Sequence, residues 1–316
     1  MLAPPALEPA LPGLRRAIKQ GLYSVGYYHH NLRQSAFPGV AILCYHSVRG
    51  DAPTTPFHEL HVTSDTFERH CRLVAEVCDP ISLDDLRAAR AGTRSLPSRP
   101  VLVTFDDGYR GVLEHALPSL ERHKIPATVF ACAGPILRTQ HFWFDAVWRR
   151  DGQQIAADAR RIGFDGWREL ERGSRTTAHA FEEHRPLAIA ELRQLAAHPL
   201  IEIGGHTLTH PTLAIAPLEE QRNEIAGCRQ ALAELLGTSI RSFAYPYGSA
   251  ASDYSAASVK AVRDAGFDVA CTTDSGFATL TCDPLQMPRF VMLESVGEVE
   301  LAHRFLHSWR SAEARA

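Results

Sequence analysis

Short apolar runs of strand length alternate with longer helical segments along most of this chain, and that alternation constrains its fold more than any other feature. Ala41–Tyr45, Val101–Phe105, Ala127–Ala133, Leu200–Ile203, Ser242–Tyr245 and Val269–Thr273 read as strands. The intervening helices are Asp65–Val77 with Ser64 as N-cap, Ser82–Arg90, one around Leu113–His123, Leu218–Leu236 closed by Gly237, and Ser255–Ala265 closed by Gly266. In Val101–Phe105 only Thr104 interrupts the apolar run, as expected of a strand covered on both faces by helices. Strands separated by helices pair in the same direction, so the pattern predicts an α/β chain built on a parallel sheet. A length of 316 residues exceeds the average domain but is ordinary for an α/β barrel with insertions.

The strand ends carry the chemistry. Val101–Phe105 runs directly into Asp106-Asp107-Gly108-Tyr109, and Leu200–Ile203 runs through Gly204-Gly205 into His206, with His210 four residues on. Adjacent carboxylates tend to point in different directions and so can take different tasks, one on a metal and one moving protons. If the residues after His206 curl into a helical turn, His206 and His210 share a face, which suits tetrahedral metal geometry. Two His and one carboxylate then leave a position open for water. Each motif alone has a plainer reading: Asp-Asp-Gly after a strand is often a capping turn, and His-x-x-x-His arises by chance in a chain with 16 His. Together, each at the end of an apolar strand, they point to the catalytic metal site of a hydrolase.

Three segments carry a family resemblance. Thr-Phe-Asp-Asp-Gly-Tyr (104–109), His-Thr-Leu-Thr-His (206–210) and Phe-Ala-Tyr-Pro-Tyr-Gly (243–248) resemble the first three motifs of the polysaccharide deacetylases, carbohydrate esterase family 4, and the likeness runs from about Ala41 to Phe290. It implies an irregular parallel (β/α) barrel of about seven strands with a helical insertion. It also implies Asp106 as catalytic base, with Asp107, His206 and His210 as ligands of a divalent metal, Zn2+ above others. The backbone N–H of Tyr247 is then expected to help bind the oxyanion.

The chain departs from the family pattern twice. The third motif usually opens with an Arg that orients the base, and Ala244 stands there. Arg289, in Met287-Pro-Arg-Phe290, is the candidate to reach back to Asp106, with a surface ion pair as the alternative. No C-terminal Leu-x-His segment offers the usual general acid. Ala41-Ile-Leu-Cys-Tyr-His-Ser47 resembles instead the N-terminal segment of a subgroup that deacetylates biofilm poly-N-acetylglucosamine, which makes His46 the expected acid. The alternative is a strand-end His satisfied by a core hydrogen bond. Asp274, after Val269–Thr273, either supports His46 electrostatically or caps a turn with Ser275-Gly276. His303 and His307 fall in an amphipathic surface helix, Gly297–Trp309, and are not candidates.

The expected organisation is an N-terminal helical extension over residues 1–38 and one catalytic barrel over 39–316. From about residue 139 to 199 the strand–helix rhythm stops, and an insertion rich in charge concentrates Phe142, Trp143, Phe144, Trp148 and Trp167. These aromatics either stack on sugar faces or form the core of an extra helical layer. The reaction implied is metal-assisted hydrolysis of the acetamide of an amino sugar, in a surface polysaccharide or its nucleotide- or lipid-linked precursor. Deformylation, O-acetyl ester cleavage and non-catalytic carbohydrate binding stay open as alternatives, the last because of Ala244.

A formal net charge of -3 without a basic block argues against a nucleic-acid partner. Seven Cys without paired spacing read as reduced thiols, with Cys44, Cys132 and Cys271 in the core. No 18-residue apolar run is present to span a membrane, and Met1–Gly13 lacks the pattern of a secretory signal, so the expectation is cytoplasmic residence. Leu14–Tyr28 is mildly amphipathic with basic and aromatic residues, and either packs on the barrel or makes a peripheral contact with the inner face of a membrane or with a partner. The sequence carries no signal of oligomeric state.

Overall fold

The structure is a computed structural model that describes residues 12–50, 59–151, 162–174 and 184–313. Its centre is a wholly parallel sheet. Strands β1 (Ala41–Tyr45), β5 (Pro100–Phe105) and β6 (Ala127–Ala131) are buried at every position, as their near-continuous apolar runs require. With β7 (Ile201–Gly205), β8 (Ser242–Ala244), β9 (Val269–Cys271) and β10 (Phe290–Val291) they follow the order β10-β1-β5-β6-β7-β8-β9. Met287 bridges Cys271, so the chain entering β10 touches β9 and nearly closes the ring. The architecture is the irregular parallel α/β barrel of seven strands that the sequence implied. Asp79–Pro80 (β4) adds beside the start of β5, while Ser47–Arg49 (β2) and His61–Thr63 (β3) form a separate two-stranded sheet.

Helices cover the sheet. Ser64–Val77 (α3) is capped one residue earlier than expected: Thr63, not Ser64, accepts from Thr66 N, and its hydroxyl also donates to Glu294. Two neighbouring hydroxyl residues suit the cap, and the tie to Glu294 selects the first. Leu83–Arg90 (α4) has the full capping box, Ser82 with Asp85. The segment around Leu113–His123 is a π-helical turn, Val112–Ala116, followed by an α-helix, Leu117–His123 (α5). Later come Ala133–Arg138 (α6), Trp143–Asp151 (α7), Gly163–Ser174 (α8), Ile189–Ala196 (α9), Leu218–Leu236 (α10) and Ala256–Asp264 (α11). Gly237 takes the left-handed conformation that ends α10.

The insertion has a core of its own. Phe142, Trp143, Phe144 and Trp167 are buried and cluster with Tyr109 and Cys132. The layer reading therefore holds for these four: packing against a helical layer removes their rings from solvent. The Trp148 side chain lies outside the described residues. At the chain start, Tyr27–Arg33 (α2) buries Tyr28 and Leu32, whereas Pro12–Ser24 (α1) leaves Leu14 and Ile18 exposed and ties to the last helix, Glu298–Glu313 (α12), through Lys19–Glu300. On α12, His303 accepts from or donates to the Tyr28 hydroxyl at 3.0 Å, a packing role away from the strand ends. Among the described residues no helix is long and apolar enough to cross a membrane.

Candidate active site

The registers of β1 and β5 place the first two residues of the site. Tyr45 pairs with Phe105, and Asp106 N donates to Tyr45 O, so His46 and Asp106 leave adjacent strand ends side by side. Asp107 then enters the left-handed region at φ 71°, followed by Gly108 at 89°. That reversal sends the two neighbouring carboxylates in different directions. Among the described residues six non-glycines have positive φ, and Asp107, Thr207, His210 and Tyr247 all lie at this site, where the surrounding bonds sustain the strain.

Asp106 meets Arg289. The guanidinium donates to both carboxylate oxygens at 2.7 Å, and is itself fixed by a bond to Thr272 O at 2.8 Å and one to Thr104 Oγ1 at 3.2 Å. Arg289 is fully buried and Asp106 almost so, which excludes the surface ion pair. Burial alone raises the carboxyl pKa, but Arg289, with His206 nearby, overrides it and holds Asp106 well below the usual carboxylate range. The Cys44 thiol points at Asp106 Oδ2 from 3.5 Å, a core residue in the strand before His46.

Asp107, His206 and His210 converge. The two imidazole Nε2 atoms each stand 3.4 Å from Asp107 Oδ1, and all three ligand atoms lie within 4.8 Å of one another. This spacing is wider than a usual hydrogen bond, and Asp107 Oδ1 is buried without a hydrogen-bond partner. The atoms surround a common point rather than bonding to one another, and the N, N, O set suits a zinc-like divalent ion. His206 Nδ1 donates to Ala244 O at 2.8 Å, leaving Nε2 to face Asp107 as a ligand should. Burial lowers both imidazole pKa values; His210 falls to about 4, while Asp106 and Asp107 bring His206 above its ordinary value. The two buried carboxylates thus call for positive charge at the position a divalent cation would take.

The helical turn expected between the two His does not form. Thr207 at φ 65° and His210 at 62° make a strained loop, in which Thr207 Oγ1 accepts from His210 N at 3.0 Å. Tertiary bonds impose this shape: Leu208 O accepts from Gly134 N, and Leu208 N donates to Glu224 O. The insertion contributes as well, because Trp143 Nε1 donates to His210 O at 3.2 Å and the Phe144 ring stands edge-on to His210 at 4.9 Å. Sequence reasoning missed that wall and Glu224, since neither carries a local signature.

The remaining candidates divide. His46 is partly buried, its Nδ1 has no hydrogen-bond partner, and it leaves the strand end beside Asp106. The core hydrogen bond of the alternative reading is absent at that atom. Tyr247, at φ 60°, lays its ring against His210 at 4.9 Å, so its turn borders the ligand set. Asp274 is exposed; its Oδ2 accepts from Ala250 N at 3.3 Å, a tie to the loop after Tyr247 rather than a cap on the turn with Ser275-Gly276. Ala244 serves through its backbone, and its small side chain lies in the same buried cluster as Phe130 and Cys271, beside Arg289.

Comparisons with known proteins bear on the family and the fold. The chain is 25% identical over 279 residues to the poly-beta-1,6-N-acetyl-D-glucosamine N-deacetylase of Escherichia coli K12, an alignment covering 85% of this chain and 38% of that protein. It therefore spans well under half the length of that relative. Among solved structures, the fold is shared with the Streptococcus pyogenes deacetylase PplD, at a TM-score of 0.62 and 18% identity over 86% of this chain and 99% of that one. IcaB from Ammonifex degensii gives a TM-score of 0.60 at 21% identity, over 85% and 97%. The sequence model for polysaccharide deacetylases matches residues 93–270, more than half of the chain and the stretch that supplies Asp106, Asp107, His206 and His210. With the barrel, the ligand cluster and that match in agreement, the chain belongs to the polysaccharide deacetylase family.

Proposed function

We propose that this chain is a metal-dependent hydrolase that removes the acetyl group from an N-acetyl amino sugar in a surface polysaccharide or its precursor. The observation that carries the reading is the convergence of Asp107, His206 and His210 beside a carboxylate clamped by Arg289. Asp107, His206 and His210 would hold a divalent ion, Zn2+ or one like it, which when bound would supply Lewis acidity toward water and the acetamide carbonyl. Asp106, kept ionised by Arg289, takes the proton of the attacking water. The Tyr247 N–H donates to the carbonyl oxygen as negative charge develops on it. His46, across the register from Asp106, returns a proton to the departing nitrogen, and acetate and a free amine result. The E. coli relative supports a β-1,6-linked N-acetylglucosamine chain as the first substrate to try.

The test is paired detection of acetate and new amine on β-1,6-linked N-acetylglucosamine oligomers, with the protein loaded with Zn2+, stripped by chelator, and reloaded. Release of both products that stops on stripping and returns on reloading is expected. Formate in place of acetate, or acetate without amine, would move the reading to a deformylase or an O-acetyl esterase. Sugar binding with no turnover under any metal would overturn it.

A further inference from the structure

A buried acid on α10 holds the loop between the two His ligands. Glu224 is 9% exposed, yet both its carboxylate oxygens are used on a single residue: one accepts from Thr209 N at 2.8 Å, the other from Thr209 Oγ1 at 2.6 Å. Its main-chain oxygen accepts from Leu208 N at 3.1 Å. Three bonds thus run from one helix residue to the two residues preceding His210. One turn on, Gly227 has no side chain where Leu208 presses against the helix: a Cβ there would lie 2.7 Å from Leu208 Cδ1. The loop needs such a clamp, because Thr207 and His210 sit in left-handed conformations that side chains rarely adopt unless their surroundings enforce them. A relaxed loop would carry His210 Nε2 away from Asp107 and His206.

We propose that Glu224 is a positioning residue for the metal centre: by fixing Thr209 and Leu208 it sets the His206–His210 spacing and so the affinity for the ion. This rests on the metal-site reading above, and it concerns a residue that acts on His210 only through Thr209 and Leu208. Partners that orient metal ligands change affinity about 10–100-fold when they are lost.

The test measures metal affinity directly, by competition with a chromophoric chelator, and the ligand field of the Co2+-loaded protein by its visible absorption. Glu224→Ala should weaken Zn2+ binding at least tenfold and broaden or weaken the Co2+ bands. Glu224→Gln, which keeps an acceptor for Thr209 N and a donor for Thr209 Oγ1, should restore affinity to within about threefold of the original protein. Should Glu224→Ala fail to fold, Thr209→Val removes only the hydroxyl contact and should still weaken binding severalfold. Affinity of Glu224→Ala, or of Thr209→Val where Glu224→Ala does not fold, within twofold of the unsubstituted protein overturns the inference, whereas failure of the unsubstituted protein to bind Zn2+ or Co2+ overturns the metal-site reading on which it rests.

Discussion

Replacing Arg289 with methionine removes the counter-charge of a buried carboxylate. Arg289 and Asp106 are 0% and 2% exposed and joined by two bonds of 2.7 Å, so neither charge has water in reserve. Breaking such a pair by deleting one partner costs about 3–5 kcal/mol, a large fraction of the roughly 5–15 kcal/mol that holds a domain together. The pH dependence follows from Asp106. With Arg289 present its folded pKa lies below the unfolded value near ~4, so its contribution to stability is full above that value and is lost as pH falls through the folded one. Without Arg289 burial is opposed chiefly by the neighbouring His206, so the pKa rises and the carboxyl can shed its charge by taking up a proton. The deficit of Arg289→Met should therefore be largest at pH 8 and shrink at pH 5. Urea unfolding of the original protein, Arg289→Met, Asp106→Asn and the double variant, all in chelator, measures this. Each single substitution should cost about 3–5 kcal/mol at pH 8, and the double no more than the worse single. Losses that add to within about 0.5 kcal/mol would refute the coupling, and with it the argument that Arg289 orients the base.

His46→Gln should leave Zn2+ content unchanged and slow amide hydrolysis by about 10²–10⁴, while sparing an ester such as 4-nitrophenyl acetate, whose leaving group needs no proton; equal losses on both substrates would remove His46 from the acid role. His70 is buried between the Tyr45 hydroxyl and Val296 O, and burial pushes its pKa down from 6.5 to about 4. The unfolded chain therefore binds the extra proton, so stability is full above pH 6.5 and falls by about 3 kcal/mol by pH 4, a slope that His70→Gln should flatten in urea unfolding across that range. Gly134→Ala places a Cβ 2.5 Å from Leu208 O, and should cost about 1–3 kcal/mol in chemical denaturation and weaken metal binding together; an unchanged metal affinity would uncouple Gly134 from the ligand loop.

The strands and the ligand cluster were legible because their signals are local: a fully buried parallel strand must be apolar throughout, and Asp107 and His206 follow their strands within one or two residues, with His210 four further on. Arg289 was legible as a candidate from the gap at Ala244, but its choice between Asp106 and the surface is a tertiary fact, 183 residues away in sequence. The loop from His206 to His210 was misread as a helical turn. Its positive φ values are imposed by Gly134 and Glu224, and no residue type within the loop announces them. The aromatics of the insertion were legible as a group and not in their orientation, since a ring that stacks on a sugar and one that packs behind a ligand are the same residue type. Ser64 lost the cap to Thr63 because Glu294, far along the chain, favours the first of two adequate hydroxyls.

The near-closure of the ring between β9 and β10 bears on how the protein is made. The residues of the metal cluster lie between 107 and 210, whereas Arg289, which gives Asp106 its two charge-assisted bonds, stands immediately before the last strand of the sheet. During synthesis from the N-terminus, the three ligand residues are made some 80 residues before the cation that keeps Asp106 charged, a separation that follows from positions 210 and 289. Glu224 and Ala244, whose contacts fix the ligand loop and His206, also come after residue 210, so the centre is assembled from both halves of the chain and its last part to be made is the cation at the entry to β10.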